Sequence, residues 1–315
     1  MCCLISNPSS IISGEKKKSQ SVLDPNYESR TSKKPKKSNS SNEKGKEEQS
    51  VQPTLSYLID VDTLRTLIRK KAIRVVDVRR TEEYNQGHIE SAVSIPLASV
   101  LDAESPEKGI TIMQDAGISD HTPVAIYDDT FGALAARVAW TFQYAGHANT
   151  SLLELTFSQW KNHGLETEKK INKFPLTHHS MNVNKDIYAD AEYVERTQGM
   201  ENNFLLDSRE RLNFLTEHIP GATNLPYTML GTQESILRST SEIKRFLENR
   251  RISSESEVIA YCGSVGTLSG LAYYALKMAG VKNVRLYSKS FKDWKRLGKP
   301  VDEFNDANYW DLSAE

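Results

Sequence analysis

The sequence has few cysteines and no long apolar run, and both absences narrow the classes of protein that it can encode. Three cysteines, Cys2, Cys3 and Cys262, are too few for a disulfide framework in a chain of 315 residues. No window approaches the roughly 18 consecutive apolar residues that a membrane span needs, and the N-terminus lacks a secretory pattern. We therefore expect no transmembrane segment and a cytoplasmic protein, with a mitochondrial location or lipid attachment at Cys2 and Cys3 as alternatives.

An excess of charge of one sign is also lacking. Lysine and arginine total 40 against 41 aspartate and glutamate, for a net charge of −1. Because the near-zero net charge produces no overall electrostatic field, we expect no nucleic-acid partner, and any charged ligand must be bound by local groups. Residues 1–53 are rich in Ser, Lys, Asn and Glu, which predicts a disordered basic tail.

A repeated segment organises the rest of the chain. "DVRRTEEYNQGHIESAVSIP" begins at Asp77, and "DSRERLNFLTEHIPGATNLP" begins 130 residues later at Asp207. Further on, "VAIYD" at 124 corresponds to "VIAYC" at 258, which is 134 residues later. The difference of four residues falls in the intervening loop and helix. Shared order and spacing over such lengths indicate a duplicated domain.

Each copy predicts alternating strands and helices. Asp60 and Asp190 stand where helix N-caps are expected, and the apolar runs "IRVVDV" and "NFLLDS" that follow are typical of buried parallel strands. Further strands are predicted at 123–127, 257–261, 150–154 and 283–287, with helices from about 133 and 267 and around Trp160 and Trp294. The predicted fold class is α/β, with two tandem domains that each have a small parallel sheet and helices on both faces.

Composition and pattern also predict the domain boundaries. We expect a tail at 1–53, a first copy at 54–165, a linker at 166–185, a second copy at 186–303 and a C-terminal tail at 304–315. The linker carries His178 and His179. We expect both to be solvated rather than metal ligands, because no Cys or carboxylate cluster accompanies them.

Cys262 lies in "VIAYCGSVGTLSG", at the end of a predicted strand and just before a helix. Ligands of parallel sheets bind at the carboxyl ends of strands. The helix dipole favours a thiolate there, and we expect the loop amides to converge on the sulfur, those of Gly263, Ser264, Val265, Gly266 and Thr267. The pattern predicts a catalytic nucleophile, against the alternative of a small buried side chain.

These motifs together resemble the tandem rhodanese family, the thiosulfate and 3-mercaptopyruvate sulfurtransferases. The resemblance rests on "FLTEHIPGATNLP" at 214–226, the Asp-x-Arg strand ends, the Cys-Gly-Ser loop and the duplication, and it covers about residues 54–303. In that family the first copy has lost its cysteine and the second copy carries catalysis. Here Asp128 occupies the position of Cys262.

The resemblance implies a sulfur transfer through a persulfide. The Cys262 thiolate would take sulfane sulfur from a small anionic donor, thiosulfate or 3-mercaptopyruvate, and pass it to cyanide or a thiol, with a thioredoxin-like protein as one candidate acceptor. It implies no metal and no organic cofactor, and we expect a monomer. Cys-Gly-Ser is more similar to the mercaptopyruvate branch, although Val265 and Gly266 stand in the reverse of that branch's usual order.

Donor binding is the least defined part of the predicted site. Asn213 stands where the family has an arginine that holds the anionic donor. The candidate substrate-binding residues are His88, Arg209, Arg211, Asn213 and Lys289. As alternatives, we interpret the Asp-x-Arg motifs mainly as charge pairs at strand ends, and the histidines of the repeat, His88 and His218, as backbone partners at a turn.

Two further functions remain as alternatives. Cysteine phosphatases share this fold but need an arginine six residues after the cysteine, where this chain has Leu268. The more serious alternative is a persulfide relay or binding module without turnover, because the donor arginine is missing.

Overall fold

The structure is a computed structural model that describes residues 54–101 and 105–303. The predicted tails and the cysteines at positions 2 and 3 lie outside the described residues. No helix in the described ranges is both long and apolar enough to cross a membrane.

The first copy alternates strands and helices as the repeat predicts. Its strands are β1 (Leu58–Ile59), β2 (Arg74–Asp77), β3 (His88–Ile89), β4 (Val93–Ser94), β5 (Val124–Tyr127), β6 (Thr150–Leu153) and β7 (Thr167–Glu168). Its helices are α1 (Val61–Arg69), α2 (Thr81–Gln86), α3 (Leu97–Leu101), α4 (Pro106–Asp115), α5 (Ala133–Tyr144) and α6 (Phe157–Asn162).

The second copy repeats the alternation of strands and helices with fewer strands in the described residues. Its strands are β8 (Asn203–Asp207), β9 (Thr223–Asn224), β10 (Glu257–Tyr261) and β11 (Asn283–Leu286). Its helices are α7 (Ala191–Thr197), α8 (Arg211–Thr216), α9 (Thr240–Glu248), α10 (Thr267–Met278) and α11 (Ser290–Arg296), with short 3₁₀ turns at Lys185–Ile187 and Tyr227–Met229.

Both main sheets are parallel. In the described residues the first has the order β1-β6-β5-β2-β4 and the second β11-β10-β8-β9. A parallel bridge between Tyr188 and Leu286 stands where β1 pairs with β6 in the first copy. The α/β prediction is confirmed, and the carboxyl ends of β5 and β10 place Asp128 and Cys262 at equivalent sites.

The predicted N-caps, Asp60 and Asp190, are present at the first helix of each copy. The Asp60 carboxylate accepts from Thr63 N at 2.8 Å, and the Asp190 carboxylate accepts from Tyr193 N at 2.8 Å. Each satisfies a backbone donor that the first turn of a helix leaves without a partner, a contribution of about 1 kcal/mol per cap.

A buried ion pair lies at the carboxyl end of β2 and of the equivalent strand β8. Arg79 Nη2 donates to Asp77 at 2.6 Å and to Gly87 O at 2.7 Å, and Tyr127 Oη also donates to Asp77. Arg209 Nη2 repeats this with Asp207 at 2.5 Å. Burial raises the pKa of Tyr127 well above its usual value, and the neighbouring Asp77 carboxylate adds to the rise. The interpretation of the Asp-x-Arg motifs as charge pairs agrees with this geometry.

Helices α5 and α10 join the two copies into a continuous apolar core. Gly270 permits their close approach, because a Cβ atom there would lie 3.2 Å from Arg137 N and 3.3 Å from Ala136 C. Each helix follows one of the two strand-end loops. Their packing therefore brings both loops to the boundary between the copies.

The segment predicted as a linker is tied to the first copy. Thr167–Glu168 pairs antiparallel with His88–Ile89. The expectation that His179 is solvated is wrong: its side chain is buried, and its Nε2 lies 3.1 Å from Nδ1 of the buried His147. His178 is exposed, as expected. In the described ranges, no group of three or more His, Cys, Asp or Glu side chains is arranged to hold a metal ion.

Candidate active site around Cys262

Cys262 follows the last residue of β10 and is 2% exposed. Its backbone N donates to Ser290 Oγ at 3.1 Å, and its carbonyl accepts from Phe291 N at 3.0 Å. Gly263 O accepts from Lys292 N at 2.9 Å. The start of α11 thus binds two successive carbonyls of the loop, which fixes the backbone on either side of the sulfur.

The loop turns sharply into α10 at Gly266. This residue has φ of 76°, in the left-handed region, and a Cβ atom there would lie 3.1 Å from both Cα and O of Ser288. Both the turn and the close approach require glycine. The twelve-residue helix α10 begins directly afterwards, so the positive end of its dipole faces the loop.

The sulfur makes a different hydrogen bond from the one the sequence predicts. Cys262 Sγ lies 3.7 Å from Ser290 Oγ, and within the described residues it makes no hydrogen bond to a loop amide. Cysteine sulfur is in general a weaker hydrogen-bond acceptor than oxygen. Convergence of the amides on an anionic sulfur stays a prediction.

The equivalent loop of the first copy holds an anionic side chain. The Asp128 carboxylate accepts four backbone hydrogen bonds at 2.7 to 2.9 Å, from the amides of Thr130, Gly132, Leu134 and Ala135. Burial raises the pKa of Asp128, and the four amides act to lower it. Gly132 has φ of 83°, and Asp128 O accepts from Phe157 N at 2.9 Å, as Cys262 O does from Phe291 N.

Two of the predicted substrate-binding residues, Arg209 and His88, do not reach the Cys262 loop through their polar groups. The Arg209 guanidinium is bound to Asp207 and Glu217 O, although its Cδ would lie 4.0 Å from a Cβ at Gly263. His88 is buried, with Nδ1 2.9 Å from Tyr84 O. This contact lies within the first copy and matches the alternative interpretation of His88 as a backbone partner at a turn. His218 Nδ1 makes the same contact with Phe214 O.

The other candidates lie in separate places. Arg211 lines a cavity of about 570 Å³ together with Arg245 and Arg250. Asn213 is exposed. Of the five candidates, Lys289 is the one that lines the same cavity as Ser264 and Val265 of the Cys262 loop.

Sequence reasoning missed Ser290 and Arg137. Ser290 is fully buried against Cys262, and its equivalent in the first copy is Thr156, an N-cap that could have drawn attention to it. Arg137 Nε donates to Val265 O at 2.8 Å across the boundary between the copies. No local signal marks Arg137, because this contact joins residues 128 positions apart.

Comparisons with known proteins agree with this architecture. A putative thiosulfate sulfurtransferase of Haloferax volcanii is 28% identical over 261 residues, which cover 74% of this chain and 90% of that protein. The 3-mercaptopyruvate sulfurtransferase of Mus musculus is 29% identical over 251 residues, covering 71% and 82%. SseA from Escherichia coli, described as having the rhodanese fold, superposes with a TM-score of 0.67 at 25% identity, covering 75% of this chain and 99% of SseA.

The duplication also matches a known domain. Residues 60–163 and 190–297 each match the rhodanese-like domain. These ranges contain both strand-end loops and together make up more than half of the chain. The protein therefore belongs to the rhodanese family, with two rhodanese-like domains in tandem.

Proposed function

We propose that this protein is a sulfurtransferase that carries sulfane sulfur on Cys262 as a persulfide. The observation that carries the proposal is the Asp128 carboxylate, which four backbone amides bind in the equivalent loop. By position, the matching amides of the second loop belong to Ser264, Gly266, Leu268 and Ser269. A thiolate and a persulfide are anions that such a loop can stabilise.

With thiosulfate, the first half-reaction is a displacement at sulfur. The Cys262 thiolate attacks the outer sulfur and forms a new S–S bond. The original S–S bond breaks, and sulfite leaves with its electron pair. The persulfide keeps the negative charge that the loop amides and the start of α10 favour.

With 3-mercaptopyruvate, the same attack breaks a carbon–sulfur bond. The electron pair leaves as the enolate of pyruvate, which takes a proton from water. The Cys-Gly-Ser sequence and the similarity to the mouse enzyme support this donor. The similarity to the archaeal protein supports thiosulfate equally. The proposal therefore includes both donors, in one site.

The second half-reaction returns the enzyme to its thiolate. A nucleophile such as cyanide or a thiolate attacks the outer sulfur of the persulfide, and Cys262 leaves with the electron pair. An S–S bond is about 2 Å long, so the transferable sulfur lies farther from the buried Cβ than Sγ does. This geometry favours attack by an acceptor in the boundary between the copies, and a thioredoxin-like thiol is a candidate acceptor.

Steady-state kinetics on the purified full chain test the proposal. Turnover should occur with thiosulfate or 3-mercaptopyruvate and cyanide, and intact mass should detect one added sulfur on the wild-type chain after donor alone. Cys262→Ser should abolish both. Asp128→Ser, which alters the equivalent residue of the first copy, should still gain one sulfur on Cys262 if the variant folds.

Three outcomes separate the alternatives. Turnover that persists in Cys262→Ser would contradict the proposed nucleophile. Sulfur loading from a desulfurase without turnover on either donor would favour the relay. Hydrolysis of a phosphate ester by the wild-type chain, lost in Cys262→Ser, would favour a phosphatase.

A further inference from the structure

A cavity of about 700 Å³ lies between the two copies, against the Cys262 loop. Its volume is in the range of small-molecule sites. Both copies line it: helix α5 of the first copy forms one wall, and the loop together with the start of α11 forms the other. The lining residues that matter for its chemistry are Arg137, Trp140, Ser264, Val265, Lys289 and Lys292.

Arg137 connects this cavity to the Cys262 loop. Its Nε donates to Val265 O at 2.8 Å, and its Nη1 donates to Thr141 Oγ1. These bonds use two of the five N–H donors of the guanidinium and leave the others for a ligand. Among the described residues no carboxylate forms an ion pair with Arg137, whose half-buried guanidinium is desolvated by its surroundings. A desolvated cation of this kind is stabilised when an anion binds next to it.

The rest of the cavity wall adds positive charge. Asp293, the one carboxylate among the described lining residues, already accepts from Arg296 Nη2 at 2.6 Å and from Tyr287 Oη at 2.8 Å. Lys289 and Lys292 are exposed, and neither forms an ion pair within the described part of the chain. Besides the paired Arg296, the described lining of the cavity therefore presents three cations to an entering ligand, Arg137 and the two lysines.

The duplication provides an internal comparison for Arg137. The equivalent residue of α10 is Leu271, which lies beside the loop of the first copy and lines a cavity with Phe131. That loop already contains its anion, the Asp128 carboxylate. A cation thus stands across from the loop with the cysteine, and an apolar side chain stands across from the loop with the aspartate.

We propose that Arg137 binds the anionic group of the sulfur donor, in a cleft that Lys289 and Lys292 complete. The ligand class is a small donor that carries a carboxylate or a sulfonate-type group next to its transferable sulfur. The first copy then contributes a substrate-binding residue, and Arg137 supplies the cation that Asn213 does not. This inference rests on the proposed function of Cys262, but its test does not require turnover.

Alkylation of Cys262 by a matched pair of reagents tests the cleft directly. Iodoacetate carries the carboxylate and iodoacetamide does not, while both react at the same sulfur. Arg137→Leu, which installs the side chain of the second copy, should slow iodoacetate about tenfold or more and iodoacetamide less than about threefold. Tenfold is the scale of one charge-assisted hydrogen bond. Arg137→Lys, which keeps the charge, should restore part of the preference for iodoacetate.

Arg74 offers a matched control. It is a second half-buried arginine, whose pKa burial lowers to about 10, as it does for Arg137, and it lines a different cavity. Arg74→Leu should leave the ratio of the two alkylation rates unchanged. An unchanged ratio in Arg137→Leu would overturn the proposal. Equal slowing of both reagents would also overturn it, because Arg137 would then act on the shape of the loop.

Kinetics separate this inference from the proposed function. If turnover occurs, Arg137→Leu should raise KM for both anionic donors about tenfold, with a smaller change in kcat. If Cys262→Ser still transfers sulfur, the proposed function fails, yet the alkylation ratio still decides whether Arg137 binds anions.

Discussion

Ser290 Oγ accepts a hydrogen bond from Cys262 N at 3.1 Å and lies 3.7 Å from the sulfur of the same residue. The hydroxyl also donates to Tyr287 O at 2.9 Å. In this arrangement a thiol at position 262 can donate to Ser290, while a thiolate can accept from it once the hydroxyl rotates. The Ser290 hydroxyl can therefore hydrogen-bond to Cys262 in both its thiol and its thiolate state.

Replacing Ser290 by alanine tests this role. The change removes the hydroxyl beside the sulfur and leaves Cys262 N without its acceptor. A hydrogen bond to a charged group contributes about 1.5 to 3 kcal/mol, so we expect iodoacetamide alkylation of Cys262 to slow about tenfold or more in Ser290→Ala. Mass spectrometry of the alkylated chain over time measures the rate.

Thr156 is the matched control for Ser290, because it occupies the equivalent position beside Asp128. Thr156 Oγ1 accepts from Gln159 N at 3.3 Å as a helix N-cap. Thr156→Ala should lower the free energy of unfolding by about 1 kcal/mol and leave Cys262 alkylation unchanged. Equal alkylation rates in Ser290→Ala and the wild type would refute the role of the hydroxyl.

Asp128 should stabilise the first copy through its four amide donors. Asp128→Asn keeps the shape but turns an NH₂ group toward two of those donors, so each loses its acceptor in a buried site. We expect the free energy of unfolding to fall by about 3 kcal/mol. Urea denaturation followed by circular dichroism measures the loss.

Asp129 provides the comparison. Its carboxylate accepts from Ser158 N and Ser158 Oγ, both at 2.7 Å. An asparagine there can still accept from the amide and can donate to the hydroxyl, so Asp129→Asn should cost less than about 1 kcal/mol. If Asp128→Asn and Asp129→Asn lower the free energy of unfolding equally, the four amide hydrogen bonds of Asp128 are not the source of the loss.

The sequence predicts the parts of the site that arise from local pattern. Comparison of the copies identifies Cys262 and the substitution at Asp128, because strand, loop and helix follow one another within a few residues. Arg137 could not be predicted, because it reaches Val265 only through the packing of α5 on α10. The contact of His147 with His179 likewise depends on how the segment after the first copy folds back.

Two buried glycines should respond oppositely to alanine. A Cβ at Gly270 would lie 3.2 Å from backbone of α5, whereas one at Gly109 in α4 would meet only side-chain atoms at 3.7 and 3.8 Å. Gly270→Ala must displace the α5 backbone slightly, and we expect this strain to exceed the gain in helix propensity, for a net loss of about 1 to 2 kcal/mol. Gly109→Ala should gain about 0.5 to 1 kcal/mol from helix propensity.

Thermal unfolding of both glycine variants beside the wild type measures the difference. A gain in Gly270→Ala would mean that the two helices tolerate a larger separation than the close approach indicates. The Cys262 alkylation rate is a useful second readout, because Gly270 lies in the helix that follows the loop. We expect that rate to change in Gly270→Ala only.

The buried pair His147 and His179 should make stability depend on pH. Burial lowers the pKa of His147 from 6.5 to about 4, and the neighbouring His179 adds to the shift. Asp120 lies 3.4 Å from His179 Nδ1 and acts in the opposite direction, while His121 also lowers the pKa. Below pH 6.5 the unfolded chain binds a proton at His147 that the folded chain does not, so stability falls as the pH decreases toward 4.

The full shift corresponds to roughly 3 kcal/mol between pH 6.5 and pH 4. His147→Gln keeps a hydrogen-bonding side chain but removes the titration, so its stability should fall less than that of the wild type over this interval. His178→Gln, at the exposed neighbour of His179, should retain the wild-type dependence. Urea denaturation at several pH values measures all three chains. Parallel curves for His147→Gln and the wild type would show that another group titrates instead.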